Sequence, residues 1–295
     1  MAVIGVIDNF IAPLSRHIGL WQFHLMRASI AWPLVAVLPF LGLGSLTPIR
    51  FWAVALRSLL VGISMLFYFS ALAMMPIAQA LAGLFTSPIF ILLISAGLMG
   101  QRIGIWRISA VAVGFLGIIL VLQPNPSKFD LTVLIPVCAG FFYALSAIAT
   151  RSLCIGESTV ALLAGMWVTL GILGAVGTVT LMIFPVWQPG DEVQFFTRPW
   201  VWPMWDALPL ILLQAIGSVC GVFMIIKAYQ LSEPSYVSVF EYSVMIFGPL
   251  FAWLAFGQPV GGWQALGIVF IASAGIIIAI RSRESRSQDV YQKDP

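Results

Sequence analysis

The sequence predicts an all-α integral membrane protein of ten transmembrane helices, arranged as two inverted five-helix repeats. Three observations predict it: a composition too apolar for water, long apolar runs parted by short turns, and a stretch that recurs 157 positions later.

Of the 295 residues, 61% are hydrophobic and 8% charged, with a mean hydropathy of +1.03. A soluble domain carries roughly 25% charged residues, and a surface this poor in charge could not stay in water. The runs point to helices, because barrel strands would be about 9 to 11 residues long and would alternate in polarity. The net charge of +3, from 14 basic and 11 acidic residues, is too weak a bias to indicate nucleic acid. Cys138, Cys154 and Cys220 stand singly in apolar surroundings, which argues against disulfide or metal use. The first 20 residues lack a basic start and Asp8 interrupts their apolar run, so they read as a spanning helix rather than a cleaved signal.

Taken in order, the expected spans are 2–15, 20–41, 51–74, 77–99, 106–122, 131–150, 158–184, 206–228, 235–256 and 263–280. Thr47-Pro48, Met75-Pro76, the Pro-Asn-Pro after Gln123, Gly156-Glu157, Glu233-Pro234 and the Gly pair ending at Gly262 mark the turns. One connection is long, 185–205, and it is rich in Trp and Pro.

A shift of 157 carries Gly100-Gln101 onto Gly257-Gln258, Trp106 onto Trp263 and Ala71 onto Ala228. A repeat of this size decides the fold, and the rare Trp and Gln carry the match. Ile18-Gly19 matches Ile155-Gly156 at a shift of 137, and the difference of 20 is close to the length of the long loop. The chain therefore divides into a first repeat over 1–122, a linker at 123–130, a second repeat over 131–280 with a loop insertion at 185–205, and a tail at 281–295. Five spans per repeat is an odd number, so the two halves would sit upside down relative to each other. The same shift of 137 puts Met1 opposite Cys138, inside the sixth span. The first helix is thus expected to start short, either below the membrane surface or because the true start lies upstream.

Lys and Arg set the expected orientation. With the N-terminus inside, inner loops and tail hold Arg50, Arg57, Arg102, Arg107, Arg151, Lys227, Arg281, Arg283, Arg286 and Lys293, ten of the 14 basic residues. Only Arg16, Lys128 and Arg198 fall outside, which satisfies the positive-inside rule. Both termini are expected to be cytoplasmic and the long loop to face outward.

With Arg27 early in the second span, Ala71-Leu72 before the fourth, Pro88 thirteen residues before Gln101 and a Gly114-x-x-Gly117 helix after it, the chain resembles the drug/metabolite transporter superfamily of the EamA-domain kind. Gln101 and Gln258 stand where that family often has Glu, a departure that weighs against proton handling there, and Pro249 sits one helical turn later than Pro88 does. The resemblance implies a carrier of the cell inner membrane, with a central cavity between the halves. Its cargo would be a small metabolite such as an amino acid, another zwitterion or an organic cation, and it would need no cofactor. The expected partners are that small-molecule substrate, the lipid bilayer and a coupling proton. No nucleic acid is expected, and a monomer is.

Ionisable residues inside spans cost about 2.5 to 3.5 kcal/mol on insertion scales, so they face cavities or pair with one another. Asp8, Arg27 and Glu241 qualify. Glu241 lies seven residues beyond Pro234, roughly 10 Å into its span. It reads as a cavity carboxylate for a substrate ammonium or a proton, against a structural carboxylate bonded to a neighbouring helix. Asp8, with Asn9, lies about 11 Å from the chain start and divides evenly between a site role and a surface role. Arg27, with His24 three residues earlier on the same face, reads as a gating or coupling residue, through a salt bridge to Asp8, more than as a direct substrate contact; it could also snorkel or cap carbonyls. His24 is the candidate proton relay. Among the many aromatic residues, Tyr143, Tyr242 and Trp167 are the first candidates for a cavity box that holds an ammonium by cation–π attraction. Gly217-x-x-x-Gly221 and the glycines at 171, 174 and 177 allow close helix approach.

Two other classes remain. An intramembrane enzyme acting on a lipid or isoprenoid would need clustered His, Asp or Glu, and His17 and His24 are the only histidines. A channel or subunit without its own substrate would lack buried carboxylates.

Overall fold

Residues 1–97, 104–122, 131–186, 194–258, 260–274 and 277 are described by the computed structural model. The Gly100-Gln101 turn, the linker at 123–130 and the tail at 281–295 lie outside them. Among the described residues every regular element is helical. Six apolar helices are long enough to cross a membrane, and shorter apolar helices stand at Ala2–Ser15, Ile108–Val121, Val244–Phe256 and Gly262–Ala274. The protein is a multi-pass membrane protein.

We label the helices α1 (Ala2–Asp8), α2 (Ile11–Ser15), α3 (Leu20–Val37), α4 (Phe51–Met74), α5 (Ile77–Leu84), α6 (Ser87–Gly97), α7 (Ile105–Leu122), α8 (Leu134–Ser152), α9 (Thr159–Ile183), α10 (Leu208–Leu231), α11 (Pro234–Glu241) and α12 (Val244–Phe256), with α13 covering Gly262–Ala274. Three of the expected spans are interrupted. The first breaks between α1 and α2, the fourth between α5 and α6, and the ninth between α11 and α12. The repeat shift of 157 carries the break at Phe85 onto the break at Tyr242.

Small residues decide which helices touch. A Cβ on Gly174 of α9 would lie 2.6 Å from the backbone nitrogen of Leu25, so α3 and α9 pack backbone to backbone. Gly217 and Gly221 of α10 take the side chains of Ile7 and Ile4 from α1, and Gly5 meets Gly248 where α1 crosses α12. Large apolar side chains such as Val176, Val179, Met182 and Ile183 of α9 face outward, a face that lipid covers.

Two clasps tie distant segments together. At one, Glu157 accepts backbone N–H bonds from Ile49 (2.8 Å) and Arg50 (2.5 Å), just before α4 begins. A carboxylate there satisfies free amides and complements the helix dipole. At the other, the Trp-rich segment 194–205 is fastened to the start of α3. Leu20 N–H donates to the Phe195 carbonyl (2.8 Å), and the Trp21 indole N–H donates to the Phe196 carbonyl (2.8 Å). Gln22 exchanges two 2.9 Å bonds with the Val201 backbone, and Arg198 donates to the Ser15 carbonyl.

Candidate functional site

The breaks in α1–α2, α5–α6 and α11–α12 flank a cavity of about 90 Å³. Helices α1, α3, α4, α5, α8, α9, α10 and α12 all contribute to its wall. Interrupted helices beside a buried cavity are where membrane proteins tolerate irregular backbone. Most of the lining is apolar, Met65, Leu81, Leu84 and Leu170 among it, with Phe69, Phe85 and Trp167 adding aromatic faces.

Asp8 closes α1 and lines this cavity, and Tyr68 of α4 donates to its carboxylate at 2.6 Å. Glu241 ends α11 just behind the wall. Its two oxygens accept from Tyr143 of α8 (2.7 Å) and Tyr229 of α10 (2.8 Å), and both tyrosines line the cavity. Asp8 and Glu241 therefore reach the cavity beside, or through, a tyrosine hydroxyl. A buried charge left unbonded would be far more costly.

Arg27 also lines the cavity, but its guanidinium is enclosed. Its bonds go to the Gln214 side-chain oxygen and His24 Nδ1, each at 3.4 Å. Phe69, Phe23 and Trp167 place their rings 4.4, 4.7 and 5.1 Å from its central carbon. Gln214 in turn donates to the Ile7 carbonyl at 2.6 Å, next to Asp8. Arg27 and Asp8 thus share one cavity, with Tyr68 on the acid and Gln214 and His24 on the base.

The other expected residues divide. Trp167 lines the cavity, and its indole N–H has no partner among the described residues. Asn9 is turned to the protein instead, donating to the carbonyls of Gly5 and Gly248 and so pinning α1 to α12. Tyr242 does not line the cavity; it is buried against Gly114 and behind the Phe85 ring, which does.

Three contributors are not among the expected site residues: Tyr68, Tyr229 and Arg57. The chain has six tyrosines, and a buried tyrosine hydroxyl seeks a partner. Pairing the few in-span tyrosines with the few in-span acids would have found the first two. Arg57, counted above with the inner loops, is buried in α4 and lines the cavity. It donates from Nε to the Thr150 hydroxyl (3.1 Å) and from Nη1 to the Leu162 carbonyl (3.2 Å).

With this geometry in view, the comparisons decide the family. The EamA-like transporter family matches residues 1–123 and again 131–280. The chain belongs to that family. This EamA-like chain is 28% identical over 244 residues to a riboflavin transporter of Rhizobium johnstonii, covering 82% of this chain and 75% of that protein. It is 27% identical to a riboflavin transporter of Vibrio cholerae, over 94% of this chain and 87% of the relative. An S-adenosylmethionine uptake transporter of Rickettsia prowazekii is 23% identical, over 93% and 89% of the two chains. A solved crystal structure with 18% identity covers 96% of each chain at a TM-score of 0.72, which speaks to the fold. Family and relatives are transporters of small metabolites rather than enzymes.

Proposed function

We propose that this EamA-like protein is a secondary transporter working by alternating access, with ten spans in two inverted halves rocking around the cavity. Its cargo is a small polar metabolite in which a zwitterionic or cationic group accompanies a flat ring, S-adenosylmethionine being one such compound. Riboflavin, flat but uncharged, is the other candidate taken from the relatives' names. The observation that carries the reading is the pairing of buried carboxylates with tyrosine hydroxyls around a mostly apolar, aromatic-walled cavity. Apolar walls with a few placed polar groups suit a small ligand.

The recurrence of the helix break at the repeat spacing of 157 supports two related halves. The surplus of Lys and Arg on one set of connections supports cytoplasmic termini in an inner membrane. Without a nucleotide-binding motif in the sequence, ion or substrate gradients are the energy source, and Asp8 and Glu241 are the residues able to carry a proton.

Uptake into proteoliposomes tests this directly. Radiolabelled S-adenosylmethionine and riboflavin are offered with and without an imposed pH gradient, beside a panel of amino acids, betaines and polyamines. Saturable accumulation of one compound is expected, and absence of flux for every one of them overturns the reading.

A further inference from the structure

A transporter cavity must neutralise whatever charges it buries, and among the described residues Arg57 is bonded to no carboxylate. Among the described residues the buried carboxylates are Asp8, Glu157 and Glu241. Asp8 is held by Tyr68, Glu241 by Tyr143 and Tyr229, and Glu157 by the backbone of Ile49 and Arg50. None of them bonds to Arg57, which is 5% exposed and meets only a hydroxyl and a carbonyl. Isolated buried charges are expensive enough that proteins rarely keep one without a purpose.

The geometry of Arg57 differs from that of Arg27. Arg27 is closed in by three rings, and its Nε is an enclosed atom with no partner. Arg57 spends Nε and Nη1 on Thr150 and Leu162. Its Nη2 bonds to no described residue, and Arg57 lines the cavity. Behind it, Thr150 donates to the Ser146 carbonyl and Ser146 to the Tyr143 carbonyl, each at 2.8 Å. The guanidinium is thereby fixed by α8 and α9 through two of its three nitrogens.

We propose that Arg57 is a substrate-binding residue whose remaining N–H groups receive an acceptor oxygen of the substrate, from either a carboxylate or a ring carbonyl. A guanidinium held at two nitrogens keeps its third aimed at the ligand, whereas a lysine ammonium cannot keep both structural bonds and reach the ligand as well. The inference rests on the carrier reading above and deepens it: the carboxylate–tyrosine pairs and Arg57 take different groups of one substrate. The two sources of the acceptor oxygen separate by probe, since S-adenosylmethionine offers a carboxylate and riboflavin offers ring carbonyls.

The test is equilibrium binding to the purified full-length protein in detergent, followed by tryptophan fluorescence and thermal shift. Wild type is compared with Arg57→Gln and Arg57→Lys, using S-adenosylmethionine and its decarboxylated analogue, and riboflavin and its N3-methyl analogue. The expected result is that Arg57→Gln weakens the bound probe by about tenfold to a hundredfold, with Arg57→Lys restoring only part. The analogue should bind wild type more weakly than its parent, and that penalty should vanish in Arg57→Gln. Equal binding of parent and analogue to wild type overturns the proposal, even if a variant fails to fold. Millimolar benzoate guards against the wrong choice of substrate. If neither probe binds wild type, the substrate reading fails; the role of Arg57 then stands if benzoate stabilises wild type and not Arg57→Gln, and falls if it does not.

Discussion

Tyr143 Oη lies 2.7 Å from one carboxylate oxygen of Glu241, joining the middle of α8 to the end of α11 where that span is interrupted. The second oxygen is held in the same way by Tyr229. The acid is thus fixed from two helices and sits behind the two hydroxyls that the cavity meets. Glu241→Gln keeps the shape but offers one of the tyrosine donors an amide N–H instead of an oxygen. Uptake should fall about tenfold or more while the purified protein keeps its elution volume and melting profile. Transport at the wild-type rate and with the wild-type pH dependence would show that Glu241 is structural.

Tyr68 is the partner of Asp8. Tyr68→Phe leaves a buried carboxylate without its hydroxyl, at a cost of about 1 to 3 kcal/mol. The expected outcome is a lower melting temperature for Tyr68→Phe, and recovery of most of it in the double variant with Asp8→Asn. Additive losses in the two single variants would show that the pair is not coupled.

Gly174 and Gly171 provide a matched test of helix packing. A Cβ at Gly174 would come within 2.6 Å of the Leu25 nitrogen, whereas at Gly171 it would meet only the Ala28 methyl at 3.3 Å. Gly174→Ala should destabilise by about 1 to 3 kcal/mol, because backbone cannot move aside as a side chain can. Gly171→Ala should be nearly neutral. Denaturant midpoints in detergent measure both.

Gln22 fastens the Val201 amide with its side-chain oxygen. Gln22→Ala should speed amide exchange in peptides covering 194–205 by roughly five- to tenfold. Exchange in peptides from α8 should stay unchanged. Unaltered exchange at Val201 would mean that the other bonds hold the segment without Gln22.

The helical membrane architecture was legible because apolar runs and turn residues mark their own ends. The breaks inside spans were not, because neither Phe85-Thr86 nor Tyr242-Ser243 carries a glycine or proline. Glu241 and Tyr143 stood out as polar groups in apolar company, and the structure joins them. Tyr242 was attractive only as a neighbour of Glu241, but adjacent residues at a helix end face different directions, and it packs on Gly114. Arg57 was hidden by its position: an arginine near a span end reads as a loop charge, and only the fold reveals that α8 and α9 close over it.

Five bonds between 194–205 and the stretch from Ser15 to Gln22 each include a main-chain atom, beside one side-chain contact from the Gln22 amide to the Met204 sulfur. Four of those five bonds carry no formal charge, so added electrolyte, which screens ion pairs within about 10 Å at 0.1 M, has little there to weaken. Because the peptide group is common to all residues, Phe195, Phe196 and Val201 can be exchanged for other amino acids with the join intact. Drift in that region should therefore spare the fastening, while loss of Trp21 or Gln22, whose side chains supply its opposite edge, should not.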